Sequence, residues 1–199
     1  MPLLLAEIAR RSTSPLNRSE CARQLDYASR QSFDLRLARL TQAFAVVWCH
    51  QVNQEGKRVA GAQSKLYLAD PLLAWLGPAL RSGLRSPDMS QLTEAALAVA
   101  LAGAIDNRQP GRWMTDDAIG YLRTGKGKEI DLAPVPVPTP SGEAMTTPLE
   151  SKWVTRGWRS EAQTLEQKLG RGVVATKSIL DLSHPAWAIP APIVSLLLG

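Results

Sequence analysis

The stretch RTGKGKEIDLA at residues 123–133, followed by LESKW at residues 149–153, decides the fold expected for this chain. The first segment joins two strand-like runs, 117–122 and 128–133, through a turn rich in glycine and lysine, so these runs are predicted to pair as a hairpin. The second segment predicts a further strand over 149–154. We expect the strands of the two segments to be neighbours in one sheet.

The acidic and basic side chains of these strands are expected to share a site. Side chains alternate across a strand, so Glu129 and Asp131 lie on the same face of their strand, and Glu150 and Lys152 lie on the same face of theirs. If the strands are neighbours, carboxylates and an ammonium converge, a set that suits cleavage of phosphodiesters assisted by Mg²⁺. Glu94, on a predicted helix beside the sheet, supplies a third acid. A solvated sheet face with a salt bridge is the alternative interpretation.

The rest of the second half alternates helices and strands. The predicted elements are a helix over 91–105, a proline-rich loop over 134–148, a helix over 158–169 and strands over 173–176 and 186–189. Gly170 follows the second of these helices and is expected to close it. This order predicts an α/β domain over 88–199, with a mixed sheet and helices on its faces.

Residues 1–80 predict a winged-helix-like region. Short helices are predicted over 3–10 and 18–25 and after 27–29, and a hairpin of strands over 45–48 and 65–68 follows them. The third helix carries an apolar stripe at steps of four, three and four, formed by Phe33, Leu37, Leu40 and Phe44.

In winged-helix modules the third helix often enters the DNA major groove. Here that helix offers Arg30, Arg36 and Arg39 as contacts for nucleic acid. The same arginines are equally compatible with the solvated face of a packing helix. Both interpretations therefore stay open.

Composition places weak limits on function. The chain has 199 residues and a net charge of +5, and residues 1–70 carry ten basic and six acidic side chains. This excess suits a polyanion such as nucleic acid, although basic surfaces also serve solubility. Cys21 and Cys49 form no C-x-x-C pair, and His50 and His184 are far apart, so a structural zinc site or disulfide framework is not expected.

No membrane segment is expected either. The start of the chain has a short apolar run with an acid at Glu7, unlike a signal peptide. The apolar stretches 95–105 and 188–198 are too short to span a bilayer. We expect a cytoplasmic protein with no membrane partner.

The quoted segments resemble the PD-(D/E)XK pattern of the uncharacterised C-terminal domain of bacterial and archaeal AAA-type ATPases. LTEAA at 92–96 resembles that domain's glutamate-bearing first helix, GVVAT at 172–176 its later strand, and WAIPA at 187–191 its closing strand. A winged-helix-like region precedes the nuclease-like domain in this family, so the resemblance spans nearly the whole chain. It implies a restriction-endonuclease-like mixed sheet.

The resemblance also implies roles for individual residues. Asp131 and Glu150 are expected as metal ligands and, with Lys152, as the catalytic set, while Glu94 is the helix acid at the same Mg²⁺. Ser151 departs from the pattern, because the family usually has an apolar residue there. The proline-rich loop is also longer than the family leads us to expect.

The chain has no G-x-x-x-x-G-K-[ST] motif, so it is not expected to bind or hydrolyse ATP. By resemblance it is the C-terminal part of such an ATPase, or a free-standing relative, with DNA and an ATPase module or partner protein as expected partners. The basic turn carries Arg123, Lys126 and Lys128, which suit either phosphate contacts or plain surface. The expected function is a nuclease-like, nucleic-acid-binding module, and the alternative is a non-catalytic interaction domain.

Overall fold

The computed structural model describes residues 2–11, 13–75, 79, 86–125 and 127–198. Lys126, an expected nucleic-acid contact, lies outside the described residues, as does most of the expected boundary between residues 80 and 88.

The described elements follow the predicted order, with two additions noted below. The helices are α1 (Pro2–Arg11), α2 (Arg18–Gln24), α3 (Arg30–Gln42), α4 (Met89–Arg108), α5 (Arg159–Leu169) and α6 (Ala191–Leu198), with a 3₁₀ turn at Pro71–Trp75. The strands are β1 (Val46–Val52), β2 (Ser64–Leu68), β3 (Ile119–Arg123), β4 (Glu129–Ala133), β5 (Pro136–Thr139), β6 (Gly142–Met145), β7 (Leu149–Ser151), β8 (Gly172–Thr176) and β9 (Ala186–Pro190).

Local chemistry explains where several helices begin and end. The side chains of Asn17, Ser29 and Asp88 accept hydrogen bonds from backbone N–H groups in the first turns of α2, α3 and α4. Gly170 closes α5 with a φ of 73°, as predicted, because glycine adopts the left-handed conformation without steric cost.

Seven strands form one mixed sheet in the order β2-β1-β3-β4-β7-β8-β9. The pairs β1–β2, β3–β4 and β4–β7 are antiparallel, and the pairs β1–β3, β7–β8 and β8–β9 are parallel. Helices flank the sheet, so the expected mixed α/β architecture is confirmed. The restriction-endonuclease-like topology and the winged helix remain predictions.

The expected boundary between residues 80 and 88 does not separate two sheets. β1 pairs in parallel with β3, with Cys49 opposite Ile119, so the hairpin expected as a wing forms the edge of the common sheet. Six of the seven residues of β1 are buried. Such nearly continuous burial is typical of a strand covered on both faces.

Three apolar clusters hold the layers together. Helices α1 to α3 cover the β1–β2 edge through residues such as Ile8, Phe33 and Leu37. Helix α4 packs its buried face, which includes Leu97, against the opposite side of the sheet. Helix α5 buries Leu165 against the strands that follow β3. The sheet is therefore covered by helices on both faces.

Two features correct expectations of local structure. The stripe predicted on α3 holds for its first three members but not for Phe44, because α3 ends at Gln42. Phe44 has a φ of 53° and a side chain that is 53% exposed, with its ring 6.1 Å from that of Trp113. Beyond the end of a helix, helical spacing no longer predicts which side is buried.

The proline-rich segment 134–148 is not a plain loop, because it contains the β5–β6 hairpin. Proline cannot donate to a strand ladder, but it is tolerated in edge strands such as these. The apolar end of the chain, expected only as a tail, forms α6. Within the described residues no helix is long and apolar enough to cross a membrane.

Candidate functional site

A gap between β4 and β7 positions two of the expected site residues. Leu132 pairs with Leu149. Beyond this pair, side-chain carboxylates rather than backbone carbonyls accept hydrogen bonds from the neighbouring strand. Oδ2 of Asp131 accepts a hydrogen bond from the Ser151 N–H at 3.0 Å, and Oε2 of Glu150 accepts one from the Asp131 N–H at 3.2 Å. Each carboxylate is therefore fixed through one oxygen to the neighbouring strand.

Lys152 lies beside this gap. Its Nζ is 3.1 Å from Oε1 of Glu150 and 3.9 Å from Oε2 of Glu161 on α5, and its side chain is 32% exposed. Burial opposes the charged form, but the Glu150 and Asp131 carboxylates outweigh it and raise the pKa of Lys152. Lys152 is therefore a hydrogen-bond donor and a fixed positive charge at neutral pH.

A buried lysine that the sequence analysis did not single out links the remaining acids. Nζ of Lys65 on β2 is 3.0 Å from Oε1 of Glu94, 2.6 Å from Oε1 of Glu129 and 3.6 Å from Oδ1 of Asp131. Its side chain is only 1% exposed. The hydroxyl of Tyr67 also donates to Oε1 of Glu94, at 2.7 Å. Lys65 is thus a counterion shared by three carboxylates.

These contacts join all four expected site acids and bases into one polar cluster. Lys152 contacts Glu150, Glu150 contacts the backbone of Asp131, and Lys65 bridges Asp131 to Glu94. The two ammonium groups contact different acids. Lys65 contacts Glu94 on α4, and Lys152 contacts Glu150 and, more distantly, Glu161 on α5.

The cluster has more acids than bases. Burial, and then the nearby Asp131 carboxylate, raise the pKa of Glu94 to about 7 and the pKa of Glu150 to about 8. The carboxylates of Glu94, Asp131 and Glu129 raise the pKa of Lys65 despite its burial. Four carboxyl groups thus share two ammonium groups, and the excess negative charge is relieved by protons or by an added cation.

The residues of the gap fit Mg²⁺ in their chemistry. Asp131 and Glu150 offer hard oxygen donors, and Mg²⁺ is commonly held by one or two carboxylates with water in its other positions. Glu94, expected as a third ligand of the same ion, does not join Asp131 and Glu150 in one group of ligands. The ammonium of Lys65 lies between the carboxylates of Glu94 and Asp131. Over the described ranges, no group of three or more His, Cys, Asp or Glu side chains could hold a metal.

The expected nucleic-acid contacts lie on two surfaces. Arg36 and Arg39 are exposed on α3, while Arg30 lies 3.4 Å from Asp34 in the same helix. Lys128 is exposed on the β3–β4 connection. Arg36 and Arg39 thus lie on a helix, and Lys128 lies on the connection between two strands.

Comparison with protein-family models, with curated proteins and with solved structures finds no match to this chain. The resemblance to the ATPase-associated nuclease-like domains therefore rests on the motif residues themselves.

Proposed function

We propose that this chain is a nuclease-like, nucleic-acid-binding module related to the C-terminal domains of AAA-type ATPases, and that it cleaves phosphodiesters with Mg²⁺. The observation that carries the proposal is the β4–β7 gap, where Asp131 and Glu150 are each tied to the opposite strand and Lys152 contacts Glu150. Acids fixed in this way keep their second oxygens in a constant position, Oε1 of Glu150 beside Lys152 and Oδ1 of Asp131 3.6 Å from Lys65, which favours ligand binding over a mobile surface salt bridge.

Asp131 and Glu150 would hold the ion, which supplies a Lewis acid for the phosphate and lowers the pKa of a bound water. Lys152, protonated at neutral pH, donates a hydrogen bond and stabilises negative charge that develops on the phosphate. Its contact with Glu150 positions the ammonium at the gap. Glu94 lies behind Lys65 and orients Asp131 indirectly through that lysine.

Nucleic-acid binding is proposed through the exposed basic groups. Arg36 and Arg39 present guanidinium groups on α3, and Lys128 presents an ammonium on the turn before β4. Contacts of this kind bind phosphates without reading sequence and weaken steeply as salt rises.

One observation favours a second candidate, a non-catalytic interaction domain that partners an ATPase. Lys65 already contacts Glu94, Glu129 and Asp131, so part of the charge that a cation would neutralise is neutralised from within. A buried ion cluster that is satisfied in this way can serve the fold alone.

A cleavage assay separates the two candidates. Purified protein is incubated with DNA and with RNA in Mg²⁺ or Mn²⁺, beside Lys152→Ala and a matched control, Lys168→Ala, which removes an exposed lysine on α5. The nuclease proposal predicts cleavage by the wild-type protein and the control, and a loss of about 100-fold or more in Lys152→Ala. No cleavage, or equal cleavage by all three proteins, leaves the interaction domain as the function.

A further inference from the structure

A second polar cavity lies away from the acid–lysine cluster. It has a volume of about 240 Å³ and is bordered by the start of α2, by α3, by β1 and by the segment before β2. His50 borders it, whereas its neighbour Cys49 contacts the Asp131 carbonyl. Because neighbouring side chains of a strand point to opposite faces, the cavity lies on the face of the sheet opposite Lys65 and Glu94.

Guanidinium groups dominate the charged lining. Arg18, Arg30 and Arg58 border the cavity, together with one acid, Asp116. Arg18 and Arg30 share a single carboxylate, that of Asp34, which lies 3.4 Å from each. Three guanidinium groups therefore face two carboxylates, and an anion would complete the balance.

The wall of the cavity also leaves hydrogen-bonding groups unused. The His50 side chain is 4% exposed and its ring stacks on Trp48 with centroids 5.5 Å apart. Nδ1 of His50 shares a hydrogen bond with the Ser64 hydroxyl at 2.5 Å, but among the described residues Nε2 has no partner. When Nδ1 accepts from the Ser64 hydroxyl, Nε2 carries the ring proton and can donate it to an anion. Oδ1 of Asp116 also lacks a partner among these residues, but a carboxylate oxygen only accepts hydrogen bonds and so opposes an anion. Buried polar atoms without partners are rare in folded proteins and commonly mark the place of a ligand or water.

The imidazole contributes no charge of its own. Burial, and then the nearby Arg58 and Arg18, lower the pKa of His50 to about 4, so the ring is neutral at pH 7. The arginines therefore supply the positive charge that would attract an anion. Their planar guanidinium groups match the geometry of phosphate oxygens.

We propose that this cavity binds a phosphate ester, with Arg18, Arg30 and Arg58 holding the phosphate. The phosphate belongs either to the end of a nucleic-acid strand or to a free nucleotide, since both present the same group. The proposal does not depend on cleavage at the β4–β7 gap, because the two sites share no residue.

Arg58 is the best residue for a test. It is exposed, and the ion pairs formed by the described residues include none of its own, so its removal disturbs the fold little. Arg171→Ala is the matched control, because Arg171 is an exposed arginine outside the cavity lining and outside the basic turn. Asp116→Asn removes the acid of the wall, and its φ of 60° is one that asparagine also tolerates.

Binding is measured by calorimetry and by fluorescence anisotropy in EDTA, so that no cleavage contributes. The probes are inorganic phosphate, adenosine 5′-monophosphate and one single-stranded oligonucleotide with either a 5′-phosphate or a 5′-hydroxyl. Arg58→Ala is expected to weaken phosphate-dependent binding about tenfold or more, Arg171→Ala to leave it unchanged, and Asp116→Asn to strengthen it.

The probes distinguish the two sources of phosphate. Tighter binding of the 5′-phosphorylated strand that disappears in Arg58→Ala indicates a strand end, whereas binding of the mononucleotide without a 5′-phosphate effect indicates a free nucleotide. The proposal is overturned if none of the phosphate probes binds, or if Arg58→Ala and Arg171→Ala weaken binding equally. Neither result bears on cleavage at the β4–β7 gap.

Discussion

Replacing Lys65 by methionine removes the one positive charge shared by three carboxylates. The ammonium contacts Glu94, Glu129 and Asp131 within 3.6 Å, and the Lys65 side chain is only 1% exposed. Removing one partner of a buried ion pair costs about 3–5 kcal/mol, because the remaining charges are left without compensation. Methionine keeps most of the apolar volume of the lysine side chain. The lost free energy of unfolding therefore comes from removing the charge and not from opening a cavity.

The size of the loss depends on pH. The pKa of Glu94 is already raised to about 7, and losing Lys65 raises it further, so the folded variant takes up a proton that the unfolded chain, with an ordinary glutamate, releases. When the pKa of a group is higher in the folded state than in the unfolded state, its contribution to stability is present at low pH. That contribution is lost as pH rises through the pKa of the folded state. We therefore expect a loss of about 3 kcal/mol near pH 6 and a larger one near pH 9.

The measurement is the free energy of unfolding from urea denaturation at both pH values. Lys57→Met is the matched control: Lys57 forms a pair with Glu55 at 3.0 Å, the same length as the Lys65–Glu94 pair, but its side chain is 76% exposed. This control is expected to leave stability unchanged. A loss below about 1 kcal/mol for Lys65→Met at both pH values would refute the assignment of Lys65 as the counterion of the cluster.

Three further predictions concern other parts of the molecule. Acidification from pH 7 to pH 5 should lower the free energy of unfolding by about 1–2 kcal/mol less in His50→Asn than in the wild type. Burial lowers the pKa of His50 to about 4, so in this range the unfolded chain binds a proton that the folded wild type does not. An equal loss in both proteins would contradict this. Gly120→Ala should lower the free energy of unfolding by about 1–3 kcal/mol, since the added Cβ would lie 2.7 Å from Cγ1 of Val52; an unchanged urea midpoint would count against the close packing of β1 and β3. Arg36→Ala and Arg39→Ala should each reduce the salt dependence of DNA binding by about one unit of log–log slope; an unchanged slope would remove α3 from the binding surface.

Alternation along strands was sufficient to predict part of the site. The spacing placed Glu150 and Lys152 together, and the structure has them 3.1 Å apart. Alternation and the predicted helix beside the sheet also placed Asp131 and Glu94 at the site, and both join the same polar cluster through the backbone and through Lys65. Short-range periodicity predicts which side chains share a face, and the motif order predicts which strands are neighbours.

Lys65 could not be predicted in the same way. A lysine in an edge strand usually faces solvent and protects the edge from pairing, so KLYL at 65–68 gives no sign of a buried charge. Its burial requires the β1–β2 hairpin to join the common sheet and α4 to bring Glu94 above it. The one available signal was the apolar run VVWC at 46–49 of β1, which favours a strand covered on both faces.

Other differences have similar causes. The hairpin within 134–148 is built on prolines that local propensity assigns to a loop, and only pairing with 142–145 makes it a strand. Phe44 fitted the stripe of α3 by spacing, but the helix ends two residues earlier. Helix ends and non-local pairing are set by tertiary contacts, which the pattern of a single segment does not contain.

The most direct test of the central claim is an anomalous difference map from crystals grown with Mn²⁺. The account predicts one peak at the β4–β7 gap, within about 2.5 Å of carboxylate oxygens of both Asp131 and Glu150, with Lys152 still beside Glu150. A map without a peak at the gap, in which Lys65 and Lys152 keep all their present carboxylate contacts, would contradict a cation-dependent site and leave the cluster as part of the fold.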